Sequence, residues 1–187
     1  AMYRASALLA IRARLRLDRG KRIAALISGH RIDVQDGSVI IDDEDVSHLI
    51  RTPRLSEAAS VVSSHTPVRR EMVRLQRTFA GRRDTVAEGR DMATVVFPGA
   101  DLKVYVTADI VQRALRRLGE TRGASVEQML PRTVEDLMRR DRRDRGRADS
   151  PLRRAPDAWM VDTTGMTVAG QVGRVVSLWR RERSGRA

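Results

Sequence analysis

The chain has 187 residues and a formal net charge of +12, and only 3% of its residues are aromatic, so a core must be built from aliphatic side chains. The absence of cysteine excludes a disulfide framework, a thiolate metal site and a cysteine nucleophile, and it fits a reducing cytoplasm. No apolar run approaches the roughly eighteen residues of a membrane-spanning helix, and the length predicts one compact domain with room for a small inserted lobe.

The first residues of the chain have the periodicity of a helix. Apolar residues spaced as on one helix face predict a helix over residues 2–17, with Tyr3 and Arg4 at its start. A second, shorter helical segment follows, and Gly29 is a typical C-terminal stop for it.

A β-hairpin is predicted next. Residues 31–34 and 38–41 are rich in β-branched side chains, and the Asp36-Gly37 pair lies between them. A hairpin among helices indicates an inserted lobe.

Two further helices follow the hairpin. Residues 56–64, which include Ser60, are helical by composition. Thr66-Pro67 then supplies a cap and a proline for the first turn of a strongly periodic helix. Arg69 lies in that first turn, where unpaired backbone N–H groups favour an anion.

The segment 88–98 has the strongest signal for a functional site. It follows residues 85–87, a short β-prone run, so we expect it at the carboxyl end of a strand, where α/β proteins bind ligands. Gly89 permits a tight turn. Arg90 can bind a phosphate through two parallel hydrogen bonds, and Asp91 can accept from an amino group or hold an arginine, although a structural ion pair is an open alternative.

The last part of the chain predicts two strands, at residues 102–106 and 158–161, each followed by a helix. The first helix is expected to end at Gly123, and the second, residues 167–181, to bury one apolar face. That face comprises Val168, Val172, Val175 and Trp179.

A polar, arginine-rich segment lies between these two strand-helix pairs. Residues 125–128 have the form of a capping box, and Pro131 is expected to kink or restart the helix that begins there. This composition favours a mobile lid.

Four short stretches of the sequence match known motifs in the same order along the chain. They are A-M-Y-R at 1–4, E-D-V-S-H-L-I-R-T at 44–52, E-G-R-D-M-A-T-V-V-F-P at 88–98 and R-D-R-R-D-R-G-R at 140–147, the last followed by Pro151-Leu152. In the same order, they resemble A-x-Y-R, E-D-V-[ST]-x-x-I-R, D-G-R-D-M-G-T-V-V-F-P and R-D-x-x-D-x-x-R of the bacterial cytidylate (CMP/dCMP) kinase family.

The resemblance implies an α/β fold of the P-loop nucleoside-monophosphate-kinase type, with a parallel sheet flanked by helices. An inserted nucleotide-binding lobe would carry the hairpin, and a short lid would complete the fold. The implied divisions are core at 1–24, 82–118 and 148–187, insert at 25–81, and lid with the arginine-rich helix at 119–147.

Three departures from the family pattern stand out. Glu88 replaces the usual aspartate and Ala93 the usual glycine, both mild changes. The third is larger, because no G-x-x-x-x-G-K-[ST] phosphate loop occurs; the Gly20-Lys21 pair is followed by Arg22. We therefore expect a truncated, inactive fragment that lacks the first strand and the phosphate loop, which leaves the cofactor-binding residues unknown.

The resemblance also implies roles for individual residues. The cytosine edge would be read by Ser60, Arg69 and Asp91, and Tyr3 is also assigned to substrate binding. The CMP phosphate would be held by Arg4, Arg90 and Arg147. The sugar would be contacted by Arg140 and Asp144. The catalytic candidates are Arg90, Arg140 and Arg147, since phosphoryl transfer chiefly requires positioning and charge neutralisation.

The implied reaction transfers the γ-phosphoryl group of ATP, with Mg²⁺, to CMP or dCMP in pyrimidine nucleotide metabolism. We expect a cytoplasmic monomer with no nucleic-acid or membrane partner. His30, His48 and His65 lack the spacing of a zinc site, and we expect no protein-held metal. The alternative is a basic α/β nucleic-acid- or ribosome-binding domain that uses the arginine run at 139–147.

Overall fold

The computed structural model describes residues 1–35, 37–81, 84–119 and 125–185. It has a mixed α/β fold with a parallel strand pair and flanking helices, which confirms the predicted fold class. The chain divides into two compact units, Ala1–Ala87 and Glu88–Ala187. The finer division into core, insert and lid stays a prediction.

The first unit combines helices with a small antiparallel sheet. Its helices are α1 (Met2–Arg12), α2 (Gly20–Ser28), α3 (Pro53–Val62) and α4 (Thr66–Ala80), with a 3₁₀ turn at Leu49–Arg51. Its strands are β1 (Ile32–Gln35), β2 (Ser38–Ile41) and β3 (Glu44–Asp45).

Helix α1 lies at the centre of this unit. Every residue from Ala5 to Ala10 is buried, and the small alanine side chains in this run let neighbouring helices approach closely. Helix α1 packs on α2 and α3, while α2 packs on α4 through an apolar core that includes Ile23, Ile27 and Met72. The first turn of α1 is therefore held rigidly, together with the two predicted site residues that it carries.

The predicted hairpin is confirmed. Strands β1 and β2 are antiparallel, with Ile32 opposite Ile41 and Val34 opposite Val39. Gly37 has a φ of +84°, a value that glycine adopts without a steric cost; Asp36, the other predicted turn residue, lies outside the described residues. Strand β3 extends the sheet antiparallel to β2.

The turn between β2 and β3 supports a prediction of how the stability of the fold depends on pH. Oδ2 of Asp42 lies 2.7 Å from Nδ1 of His30, and Oδ1 accepts a hydrogen bond from the Arg31 backbone N–H at 2.9 Å. These bonds, that with His30 first, lower the pKa of Asp42 below its ordinary value. The ionised form therefore stabilises the fold above about pH 4, and this contribution is lost as pH falls through the lowered pKa.

We expect Asp42→Asn to lower the thermal midpoint at about pH 6 but to have a smaller effect at about pH 3. Asparagine tolerates the positive φ of 55° at this position, so backbone strain does not complicate the comparison. Equal effects of the substitution at both pH values, measured by circular dichroism, would contradict this assignment.

The second unit contains the parallel strands and three helices among its described residues. Its elements are a π-helical turn (Met92–Val96), β4 (Val104–Thr107), α5 (Ile110–Gly119), α6 (Val126–Arg145), β5 (Trp159–Asp162) and α7 (Val168–Ser184). Strands β4 and β5 are parallel and in register from Val104 opposite Trp159 to Thr107 opposite Asp162.

Two strand predictions need correction. Residues 85–87 form no strand, and Val86 is fully exposed, because β-propensity gives a strand only where another strand supplies hydrogen bonds. Strand β5 exists but is not wholly buried, since Met160 points to solvent while Val161 is buried.

The helix predictions need correction in bounds as well as in packing, since the helix predicted over residues 2–17 ends at Arg12. Helix α7 begins after its Thr167 cap, yet Val168 on its predicted buried face is 77% exposed, and Leu178 is the buried residue of the helix. Helix α6 runs through Pro131 without restarting, and its Ser125 cap makes no side-chain hydrogen bond. Gly123, the predicted end of α5, lies outside the described residues. Within the described parts of the chain, no helix is long and apolar enough to cross a membrane.

Candidate functional site

Arg69 and Tyr3 lie together in the first unit. Arg69, in the first turn of α4, is buried; its Nη1 donates to the Ser63 carbonyl at 3.0 Å, and its guanidinium carbon lies 5.6 Å from the centre of the Tyr3 ring. A buried guanidinium that stacks on an aromatic ring and bonds a carbonyl has a fixed orientation. The side chain therefore points in a defined direction within the first unit.

Ser60 and Arg4 are the other two predicted site residues of this unit. Ser60 is buried on α3, and its carbonyl accepts a hydrogen bond from the Ser63 hydroxyl at 3.0 Å, so both serines belong to the same end of α3 as the Arg69 contact. Arg4 is half-buried in the first turn of α1. Among the described residues it forms no ion pair, which leaves its charge available to an anion.

The segment with the strongest sequence signal forms a single π-helical turn. The Val96 N–H donates to the Asp91 carbonyl at 3.2 Å, and the Phe97 N–H donates to the Met92 carbonyl at 2.7 Å, both i→i+5 bonds. Asp91, immediately before the turn, is buried. Such turns are rare and occur frequently at functional sites, because they change the direction in which adjacent side chains point.

Asp144 gathers three arginines in the second unit. Its side chain, in the last turn of α6, is 1% exposed. Arg147 donates to Oδ1, while Nε of Arg90 lies 3.1 Å and Nε of Arg140 lies 4.0 Å from Oδ2. We call these four residues the Asp144 cluster. Three of the residues that the resemblance selects as catalytic thus meet on one buried carboxylate.

The backbone after α6 explains how Arg147 reaches this carboxylate. Helix α6 ends at Arg145 with Gly146 as its C-terminal cap, so Arg147 lies beyond the helix. The Leu152 N–H donates to the Asp144 carbonyl at 2.8 Å and ties the following segment to the last turn. On one continuous helix, offsets of four and seven residues would place Arg140, Asp144 and Arg147 on a single face. Arg147 instead turns back to Asp144 from outside the helix.

The charge of the Asp144 cluster suits an anion. Three arginines and one carboxylate carry a formal +2, and the carboxylate holds the guanidinium groups in place. The Arg147 side chain is 7% exposed, whereas that of Arg90 is 34% exposed. The cluster is therefore buried at Asp144 and Arg147 and accessible to a ligand at Arg90. Preorganised guanidinium groups bind phosphate in bidentate geometry, without the cost of gathering like charges when the ligand arrives.

Two of the three histidines make structural contacts. Nε2 of His65 lies 2.7 Å from the Leu17 carbonyl, and His30 bonds Asp42. Throughout the described ranges, no group of three or more histidine, cysteine or acidic side chains could hold a metal ion.

Two contacts were not predicted from the sequence. One is the Ser63 carbonyl that holds Arg69, for which a backbone acceptor leaves no sequence signal. The other joins Arg113 on α5 to Asp141 on α6. Asp141 belongs to the R-D-x-x-D-x-x-R stretch, which was a usable signal, but nothing in the sequence pointed to Arg113.

Comparison with protein-family models gives a match to the cytidylate kinase model over residues 1–181. Because the match covers nearly the whole chain, it lends no support to the expectation of a truncated, inactive fragment.

Individual relatives agree with the family match. A cytidylate kinase of Burkholderia thailandensis is 38% identical over 182 residues, which cover 97% of this chain and 79% of the relative. A cytidylate kinase of Desulfitobacterium hafniense is 38% identical, over 96% of this chain and 78% of the relative. One of Paraburkholderia phymatum is 37% identical, over 96% and 79%.

Proposed function

The chain belongs to the cytidylate kinase family of phosphotransferases, and on that premise we propose that it transfers the γ-phosphoryl group of ATP to CMP or dCMP. The products are CDP and dCDP, and the process is pyrimidine nucleotide metabolism. A cytoplasmic monomer, as expected from the sequence, remains part of this proposal.

The observation that carries the proposal is the convergence of Arg90, Arg140 and Arg147 on the buried Asp144. Arg90 and Arg147 bind the nucleotide phosphate and Arg140 contacts the sugar, while Asp144, which the resemblance also assigns to the sugar, is 1% exposed and acts by holding these arginines. The three arginines then neutralise charge that develops on the transferred group, which is the main demand of phosphoryl transfer on a protein.

The remaining roles concern the base and one further charge for the phosphate. In the first unit, Ser60 and Arg69 contact the cytosine, Tyr3 orients Arg69 by its ring contact, and Arg4 adds a charge for the phosphate. Burial supports these roles, since a desolvated polar side chain discriminates between hydrogen-bonding patterns more sharply than an exposed one.

ATP and Mg²⁺ enter this proposal through the family alone. The residues present do not fit a phosphate-loop site for ATP, since no G-x-x-x-x-G-K-[ST] occurs in the sequence. The described residues also offer no metal-binding cluster. The structure therefore supports a site for the acceptor nucleotide, and tests of the proposal address that nucleotide.

Calorimetric titration of the chain with CMP, dCMP, UMP and AMP tests the proposal. CMP or dCMP should bind about tenfold or more tightly than UMP and AMP. A short single-stranded oligonucleotide, titrated at low and high salt, serves as the competitor from the other class of ligand. Tighter binding of the oligonucleotide with a steep salt dependence, and no preference among the monophosphates, would overturn the kinase proposal in favour of a nucleic-acid-binding domain.

Asp91→Ala should reduce the preference for CMP over UMP by about tenfold. Asp91 is buried, and its carboxylate accepts from the cytosine amino group; uracil presents a carbonyl there, so two acceptors would face each other. Asp84→Ala, which removes an exposed carboxylate, is the matched control. If the CMP-to-UMP affinity ratio of Asp91→Ala equals that of the wild type, Asp91 does not read the base.

A further inference from the structure

A partly buried ion pair joins helices α5 and α6 close to the Asp144 cluster. Nη1 of Arg113 donates to Oδ2 of Asp141 at 2.6 Å, and Nη2 donates to Oδ1 at 3.1 Å. The side chains are 28% and 13% exposed. Two parallel bonds between a planar guanidinium and a planar carboxylate fix direction as well as distance. The pair can therefore set the rotation of α6 about its own axis.

The position of Asp141 on α6 links the rotation of the helix to the direction in which Asp144 points. Successive residues of an α-helix are about 100° apart, so Asp144 projects between Arg140, about 40° to one side, and Asp141, about 60° to the other. Leu137 is buried on the same face. A helix held at Asp141 consequently directs Asp144 inward and keeps Arg140 at the edge of the buried face.

Few other features hold α6 in place along its first half. Its Ser125 cap makes no side-chain hydrogen bond, and Pro131 within the helix has no N–H to donate. Val126 and Met129, near its start, are exposed. Thr133 is the buried residue of the first half, and the second half adds the buried Leu137 and Asp144 and the Arg113 contact, so the second half contributes strongly to how the helix is oriented.

Asp141 remains charged in this position. Burial by itself would raise the pKa of its carboxyl, but the hydrogen bonds from Arg113 and the nearby positive charges of Arg113, Arg90 and Arg145 lower that pKa below its ordinary value. The same pair raises the pKa of Arg113. A permanent negative charge beside Arg90 also reduces the repulsion among the arginines of the Asp144 cluster before a ligand arrives.

We infer that Arg113 and Asp141 are a positioning pair, which holds α6 in the rotation that keeps Asp144, Arg140 and Arg90 arranged for the nucleotide. The inference rests on the proposed function, because the ligand for which the cluster is arranged is CMP. Neither residue of the pair touches the nucleotide; they act through α6.

Two single variants and one double variant separate charge from geometry. Asp141→Asn removes the charge but keeps the shape, and Arg113→Lys keeps the charge but loses the bidentate contact. The double variant Arg113→Asp with Asp141→Arg reverses the pair. Asp136→Asn is the matched control, because Asp136 forms an ion pair with Arg139 on the exposed side of the same helix.

CMP affinity is measured by calorimetry at a temperature where every variant is folded. Asp141→Asn and Arg113→Lys should each weaken CMP binding by about tenfold, the reversed pair should recover most of that loss, and Asp136→Asn should change it less than about twofold. The ligand-free chains are also compared by NMR, through the side-chain Nε–Hε resonance of Arg90. This resonance should shift or broaden in Arg113→Lys, which keeps every charge, as well as in Asp141→Asn, and stay unchanged in Asp136→Asn.

The outcomes distinguish the inference from the proposed function. A wild-type chain without preference for CMP would overturn the proposed function, and the Arg90 resonance of the ligand-free chain would then decide alone whether the pair positions the cluster. Wild-type CMP affinity in folded Asp141→Asn, or an Arg90 resonance identical to that of the wild type, would overturn the positioning role.

Discussion

Arg147→Ala should weaken CMP binding by about 2–4 kcal/mol, which corresponds to roughly 30- to 700-fold in Kd. The Arg147 side chain is nearly buried and bonds the buried Asp144, so it is the most rigidly held phosphate donor of the cluster. Calorimetry with CMP measures the loss directly. Asp144 keeps Arg90 and Arg140 as partners in this variant, so the cluster loses one phosphate donor but keeps its central carboxylate.

Arg142→Ala is the matched control for this experiment. Arg142 is exposed, lies two residues before Asp144 on the same helix, and carries the same charge as Arg147. We expect it to change CMP affinity by less than about threefold. Equal losses for both variants would mean that the arginine run acts through its bulk charge, and the Asp144 cluster would not be a defined phosphate site.

Asp144→Ala should destabilise the fold by about 3–5 kcal/mol, because it leaves a buried arginine charge without its partner. Most of this cost falls on Arg147; Arg90 and Arg140 are about one-third exposed, and solvent screens the loss at those two residues. The free energy of unfolding, measured by urea denaturation, gives the size of the effect.

A double variant tests the reason for that instability. Removing Arg147 together with Asp144 takes away the unpaired charge, so the double variant should be more stable than the sum of the two single effects predicts. Additive effects, or a loss below about 1 kcal/mol in Asp144→Ala, would contradict the view that the Asp144 carboxylate compensates the buried charge of Arg147.

Local chemistry made much of the fold predictable. The glycine turn at Gly37 fixes the hairpin, and Gly29 and Thr167 mark the end of α2 and the start of α7 because caps act within a few residues. The exposed face of α7 and the missing strand around Val86 were not predictable in this way. Burial of a helix face and pairing of a strand depend on what other segments of the chain supply.

The candidate site shows the same division between local and distant effects. The four motif stretches select residues by type and order, and they include every member of the Asp144 cluster. The contacts of Arg69 with Tyr3 and of Arg113 with Asp141 join residues far apart in sequence, so no spacing rule reveals them. Arg147 reaches Asp144 from beyond the helix end, a position that helical periodicity does not describe.

The central claim is that the Asp144 cluster holds the phosphate of a cytidine nucleotide. The most direct measurement is a crystal structure of the chain with CMP. The claim predicts phosphate oxygens within about 2.7–3.2 Å of guanidinium nitrogens of Arg90 and Arg147. A structure in which CMP is bound and its phosphate contacts neither arginine would contradict it.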